Sequence, residues 1–272
     1  MNTISINLRA ALVSCLILVF FLGAWQLSSQ GPSIGAATKV GATAEEIEYQ
    51  KMMGKDPGAS KSTGFPPPVE VAKAVLKQLS NPFYDNGPND KGIGIQLAHS
   101  LGRVGLGFAL AVLVALPLGF LIGMSPLMQK AFDPFIQVLK PISPLAWMPL
   151  ALYTLKDSSV SGIFVIFICS VWPMLINTAF GVASVKREWL NVANTLEVNP
   201  LRKAFLVILP AAAPTIVTGM RISMGIAWLV IVAAEMLVGG TGIGYFVWNE
   251  WNNLSLVNVI FAVLVIGVGA CC

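Results

Sequence analysis

Charge is scarce in this sequence. Only 11% of its 272 residues are Asp, Glu, Lys or Arg, against roughly a quarter in soluble domains. Hydrophobic residues make up 56%, and the mean hydropathy is +0.75. A water-soluble surface cannot be made from such a composition, so the chain needs lipid around it. Histidine is nearly missing: His99 stands alone, which leaves no metal cluster and no catalytic triad to assemble. The cysteines, Cys15, Cys169, Cys271 and Cys272, lie in apolar runs without the spacing of a zinc site and read as core or lipid-facing residues. No Ser/His/Asp or Cys/His constellation is present, so no catalytic or metal-binding residues are expected. No G-x-x-x-x-G-K-[ST] phosphate loop occurs either. The net charge of +4, 17 cations against 13 anions, carries no nucleic-acid inference, because in a membrane chain the position of each charge matters more than the sum.

What is present is a series of long apolar runs. Crossing the hydrocarbon takes about 20 mainly apolar residues in a helix, because each backbone amide must find its partner within the segment. Six stretches meet or approach this: Ala10 to Leu27, Val104 to Met124, Phe135 to Leu155, Ser161 to Phe180, Ile216 to Leu237, and one from Leu256 that reaches the chain end unfinished. The expected fold class is an all-α integral membrane protein of about six transmembrane helices. Pro141, Pro144 and Pro149 interrupt the third span, and the carbonyls they free are tolerated where a helix faces protein or a water-filled cavity. Gly119 and Gly123 form a G-x-x-x-G pair, which admits a close neighbour without saying which.

Orientation follows from cations in short loops. Arg9, Lys130, Lys186, Arg187, Arg202 and Lys203 fall on the amino-terminal side, and Lys156 alone on the other. This bias puts the amino terminus, the 125–134 loop and the 181–214 loop in the cytoplasm. Residues 29–102 are then outside it, rich in Gly, Pro, Ser and acids, and read as a tether. Within them Val71, Val75 and Leu79 follow Pro66-Pro67-Pro68 at helical spacing. They suggest a short amphipathic helix on the membrane surface or, equally, one facing water. The expected layout is a first helix over 1–28, a periplasmic segment over 29–102 and a core over 103–272. Arg9, an apolar run and Gly35-Ala36-Ala37 also resemble a cleaved leader. The run of 18 residues exceeds the about 7 to 15 of a leader's apolar region, which favours a retained helix.

The segment 181–214 places Val192 and Leu196, and beyond Pro200 also Ala204 and Val207, at helical spacing, with Arg202 and Lys203 on the surface. Two short amphipathic helices joined at Asn199-Pro200 would offer a docking knob to a soluble partner. The alternative is a pair lying on anionic lipid.

This segment resembles the cytoplasmic signature loop of importer permeases of the ATP-binding-cassette superfamily, in which Glu-Ala-Ala precedes a Gly and an Ile-x-Leu-Pro ending. Here Asn191, Val192 and Ala193 hold the triplet, Glu197 the Gly position, and Val207, Ile208, Leu209 and Pro210 the ending. The Glu and the Gly of the pattern are both replaced, and Glu197 adopts a positive φ less cheaply than Gly. HSLGRVGLGF from His99, PLGFLIGM from Pro117, PISPLAWMPLA from Pro141 and GMRISMGIAWLVIVAAEML from Gly219 resemble the nitrate, sulfonate, taurine and bicarbonate branch. The likeness runs from about Phe65 to Gly267. Tyr153 to Val182 and Val238 to Asn253 look most like the cyanobacterial nitrate and nitrite permease.

The resemblance implies a type I importer permease in the bacterial inner membrane. Its partners would be a second copy of the chain, two cytoplasmic ATP-binding subunits that hold ATP and Mg, a periplasmic substrate-binding protein, and lipid. No cofactor is expected in this chain and no ATP hydrolysis by it. Asn191, Val192, Ala193, Leu196, Glu197, Leu201, Arg202, Leu209 and Pro210 would couple to the ATPases. The expected cargo is nitrate or nitrite, with bicarbonate, cyanate, taurine or another sulfonate as alternatives. An ion-coupled secondary transporter would need internal repeats and ionisable groups in corresponding helices, and neither is evident. Related permeases continue the sixth helix further, so the expectation is a chain truncated or altered at its end.

Charges inside the spans are the other functional signal. Arg221 and Glu235 lie in the fifth span, where a central charge costs about 2.5–3.5 kcal/mol. They are roughly 21 Å apart along a helix and cannot pair within one chain. With Trp147 and Met148 of the third span they are the candidate pathway residues, and the third and fifth helices are expected to line the route. Arg221 either attracts an oxyanion, braces a gate, or makes a structural tie to backbone carbonyls or lipid phosphate. Arg103 is open to the same readings, and Lys140 is expected to snorkel. Gly240, Gly242 and Gly244 are expected to form a tight turn outside the membrane.

Overall fold

The computed structural model describes residues 3–29, 66–85, 87 and 91–270. The leader-like Gly35-Ala36-Ala37, most of the 29–102 segment, Cys271 and Cys272 lie outside them. The chain divides into two compact units, Met1–Ser80 with Leu254–Phe261, and Asn81–Asn253 with Ala262–Cys272.

In the first unit, helix α1 spans Thr3–Ser29. Its apolar stretch, Leu8–Ser29, is long enough to span a bilayer and buries none of its residues in protein. A helix that is apolar on every side is at rest only in hydrocarbon. Helix α2, Pro68–Ser80, starts at the last residue of the triple proline, where a missing N–H costs nothing. Val71 is buried and Leu79 is exposed, so the expected apolar stripe is covered only at its amino-terminal end.

The second unit is built on α3 (Ile93–Met124), α6 (Ser158–Ala183) and the run from Pro200 to Val238. With α1 these are the four described helices long and apolar enough to cross a membrane. Helix α6 is central: α3 packs along one of its sides and the long run along another. Between helices in lipid there is little hydrophobic drive, so close van der Waals contact has to hold them, and small residues permit it. On α3, Gly107, Ala111, Ala115, Gly119 and Gly123 recur every four residues and face α6. A Cβ on Gly119 would lie 2.6 Å from Thr178, and one on Gly123 2.6 Å from the Ala179 carbonyl oxygen. The neighbour that the G-x-x-x-G pair left unnamed is therefore α6. Across the other contact Ser223 donates to the Ser170 carbonyl at 2.8 Å.

The expected third span departs from a single helix. Helices α4 (Pro126–Leu139) and α5 (Pro144–Leu155) meet at a 90° bend. Pro141 brings no N–H to continue α4, and Ser143, with ψ 135°, takes the extended conformation that a following proline imposes. Asp157 then caps α6 by accepting the Val160 N–H at 2.8 Å.

The 181–214 segment also differs from expectation. One short helix, α7 (Arg187–Thr195), is present, but the second helix does not stand apart. The four-residue α8, Pro200–Lys203, runs through a π-helical turn at Ala204–Ile208 into α9, Leu209–Val238, making one 39-residue span. The Leu209 N–H reaches five residues back to the Ala204 carbonyl. The wider turn makes room for Pro210, whose ring would otherwise press on the preceding turn. After α9 come α10, Ile243–Asn252, and α11, Leu256–Gly269. The Trp228 indole N–H ties α9 to α11 at the Ile266 carbonyl, 3.0 Å away.

Candidate functional site

Three places in the second unit collect the residues that chemistry singles out. The first is a buried knot at the end where α3 and α6 begin and α9 finishes. Glu235, 3% exposed, accepts hydrogen bonds from Ser100 Oγ at 2.8 Å, Arg103 Nη1 at 2.8 Å and the Gly244 N–H at 3.1 Å. Arg103 also donates through Nη1 to the Thr241 carbonyl at 2.8 Å and through Nη2 to Ser159 Oγ at 3.0 Å. Ser100 in turn accepts the Ile243 N–H at 3.0 Å. The network joins α3, α6, α9 and the turn into α10. A Cβ on Gly242 would lie 2.2 Å from the Glu235 carboxyl carbon, and one on Gly244 2.2 Å from the Val232 carbonyl oxygen. Glycine there lets backbone N–H groups approach the carboxylate. Of Gly240, Gly242 and Gly244, expected together in a tight turn, only Gly240 has a turn conformation, with Gly239 and Gly240 at φ +77° and +96°; Gly242 caps α10 and Gly244 lies in its first turn.

The partner of Glu235 is thus Arg103, from another helix. A buried charge is tolerable when paired and fully hydrogen-bonded. Such a group fixes packing. Met148, 2% exposed, and the half-buried Trp147 pack into the neighbouring core with Val104, Ile166 and Trp228.

The second place is an open cleft of about 870 Å³ between α3 and α9, walled by Phe108, Val217, Met220, Met224 and Trp228, with Arg221 in its lining. Of the four pathway residues expected from sequence, Arg221 is the one that reaches this cleft. Glu235 and Met148 instead border a crevice of about 10 Å³ beside the knot.

The third place is the elbow formed by α7 and α8, at the opposite ends of α3, α6 and the long run from the knot. Leu190 packs onto a core of Val185, Ile208 and Ala212, and Ala193 is buried. Trp189, Val192 and Leu196 turn outward, 49%, 59% and 69% exposed, and Leu201 beyond the bend is 70% exposed. Sequence reasoning did not single out Trp189, although its i, i+3, i+7 spacing with Val192 and Leu196 marks a helix that docks in a groove. Asn191, Glu197, Arg202 and Pro210 are exposed as well, and Leu209 is half-buried.

Glu197 has φ +52°. Its N–H bonds the Asn194 carbonyl at 3.0 Å, and the Val198 N–H bonds the Ala193 carbonyl at 3.1 Å. This pair of bonds is a Schellman end, usually closed by glycine. The turn survives the substitution, at a cost of about 1–2 kcal/mol for a left-handed non-glycine residue.

Comparison with known proteins bears on this architecture. Residues 115–272 match the family described as "Binding-protein-dependent transport system inner membrane component". The nitrate import permease protein NrtB of Synechocystis sp. is 45% identical over 210 residues, covering 77% of this chain and 76% of that one. The bicarbonate transport system permease protein CmpB of the same organism is 45% identical over 190 residues, covering 70% and 68%. Among solved structures, the inward-facing MetNI methionine ABC transporter aligns with a TM-score of 0.53 at 13% identity. That alignment covers 64% of this chain and 90% of that one and speaks for the fold alone.

Proposed function

The chain belongs to the family of inner-membrane components of binding-protein-dependent transport systems, and from that premise we propose that its cargo is nitrate or nitrite, moved into the cytoplasm. The chain is the membrane-spanning permease subunit of an ATP-binding-cassette importer. The observation that carries the choice of cargo is the 45% identity to a nitrate permease over three quarters of both chains. Equal identity to a bicarbonate permease over a shorter stretch makes bicarbonate the second reading.

A family named for dependence on a binding protein implies such a partner, and an importer of this kind implies separate ATPase subunits, which hold the ATP and Mg. The elbow supplies a surface for those subunits, because Trp189, Val192, Leu196 and Leu201 form an apolar face that the described residues leave uncovered. The cationic bias of the short loops supports a cytoplasmic elbow and a cytoplasmic amino terminus. The knot then lies at the periplasmic end, where it holds three helices and a turn in fixed register while the two copies of a homodimer alternate between outward- and inward-open states. A secondary transporter working alone fits less well, since Arg103 already neutralises Glu235, the acid of the fifth span.

The test is import into proteoliposomes holding the complete complex, with the binding protein supplied outside and ATP enclosed with the ATPase subunits. ATP-dependent entry of nitrate supports the assignment. Entry of bicarbonate with exclusion of nitrate transfers the assignment to bicarbonate.

A further inference from the structure

We propose that Arg221 is the oxyanion handle of the translocation path, a guanidinium that receives the transported anion through paired N–H···O hydrogen bonds midway through the membrane. The proposal rests on the permease reading above and assigns the anion a residue within this chain.

Depth is the first observation. Arg221 stands 12 residues beyond Leu209 and 17 before Val238 in α9, about 18 Å and 26 Å from its two ends at 1.5 Å per residue. A cation at that depth costs about 2.5–3.5 kcal/mol unless it meets a counter-charge or water. The second observation is that it meets neither a hydrogen-bond nor an ion-pair partner among the described residues, and its side chain is exposed. Arg103 shows how this chain treats a structural arginine, with three hydrogen-bond partners and a side chain 13% exposed. Arg221 is handled in the opposite way.

The third observation is the cleft. Among the described residues that line it, none besides Arg221 is charged. At Gly105 and Gly225, which also line it, an added Cβ would meet nothing within 4 Å, so the packing of the described residues does not occupy this space. Phe108, Met220, Met224 and Trp228 present apolar walls there. Walls of this kind do not compete for an anion's oxygens, and the low polarity around them strengthens each charge-assisted bond. A planar guanidinium offers two parallel donors to the oxygen edge of a small oxyanion, a match that a lysine ammonium does not reproduce. A lipid phosphate has the same oxygen chemistry, so the experiment must separate the two sources.

The complete complex is reconstituted with wild-type permease, Arg221→Gln and Arg221→Lys, and nitrate entry, ATP hydrolysis stimulated by the binding protein, and retention of the ATPase subunits are read together. Arg221→Gln is expected to slow nitrate entry by about tenfold or more, since at least one of the paired charge-assisted hydrogen bonds is lost, while hydrolysis and subunit retention persist. Arg221→Lys is expected to fall between the two. If Arg221→Gln folds poorly, Arg221→Cys in a background without other cysteines is treated with a cationic or an anionic methanethiosulfonate. Recovery of nitrate entry with the cationic reagent alone supports the handle. Equal entry in wild type and Arg221→Gln overturns it, and so does equal recovery with both reagents. So does a variant that loses only co-purifying anionic phospholipid and imports normally. Wild type importing no nitrate would instead remove the cargo assignment on which the handle depends.

Discussion

The knot and the elbow sit at opposite ends of the same helices and are built by opposite rules. At the knot, the buried Glu235 and Ser100, the part-buried Arg103 and two backbone N–H groups satisfy one another, and glycine stands where a side chain would intrude. At the elbow, apolar side chains point outward, a π turn replaces regular helix, and Glu197 holds a backbone conformation that suits glycine. The difference teaches where a permease can tolerate motion. The knot sets the register of α3, α6 and α9, so its interactions are complete within one chain. At the elbow the described residues leave Trp189, Val192, Leu196 and Leu201 uncovered.

Breaking the knot should have the largest effect. Arg103→Ala leaves Glu235 buried without its cation and is expected to cost about 3–5 kcal/mol, seen as a collapse in the yield of monodisperse permease from detergent. Arg103→Ala paired with Glu235→Ala should recover part of that loss. Next is the elbow: Leu196→Asp with Leu201→Asp should remove the ATPase subunits from co-purification while permease yield is unchanged. Trp189→Ala alone should weaken retention by about 2 kcal/mol, the size of an aromatic hot spot. Unchanged co-purification in all of these variants would end the docking assignment.

The sequence made one of these ends easier to read than the other. Hydropathy locates α1, α3, α6 and α9 because hydrocarbon imposes length and composition on any helix that crosses it. The elbow is partly visible for a similar reason, since its apolar positions are local and periodic. The knot is not visible, because Arg103 and Glu235 are 132 residues apart and no local pattern tells which helices will be neighbours. Proline was informative about place and not about outcome. Pro141 and Pro144 marked the break that became a 90° bend, whereas Pro210 was absorbed by a π turn, so that the second short helix merged into α9.

Smaller changes sharpen the contrast. Gly219→Leu would drive a side chain into Asn177, since even a bare Cβ at Gly219 would lie 2.6 Å from the Asn177 Cβ, and overpacking of this kind costs about 1–3 kcal/mol. A lowered thermal midpoint in detergent checks it. The smallest expected effect is a gain. Glu197→Gly relieves the left-handed strain and should stabilise the elbow by about 1 kcal/mol, read as slower hydrogen exchange at the amides of α7.

The division of labour between the ends is tested most directly by cross-linking in the assembled importer, with a cysteine introduced at one end or the other of an otherwise cysteine-free permease. Leu196→Cys should cross-link to an ATPase subunit, and Lys156→Cys, beside the knot, should not. A cross-link from Lys156→Cys to the ATPase with none from Leu196→Cys would contradict the account.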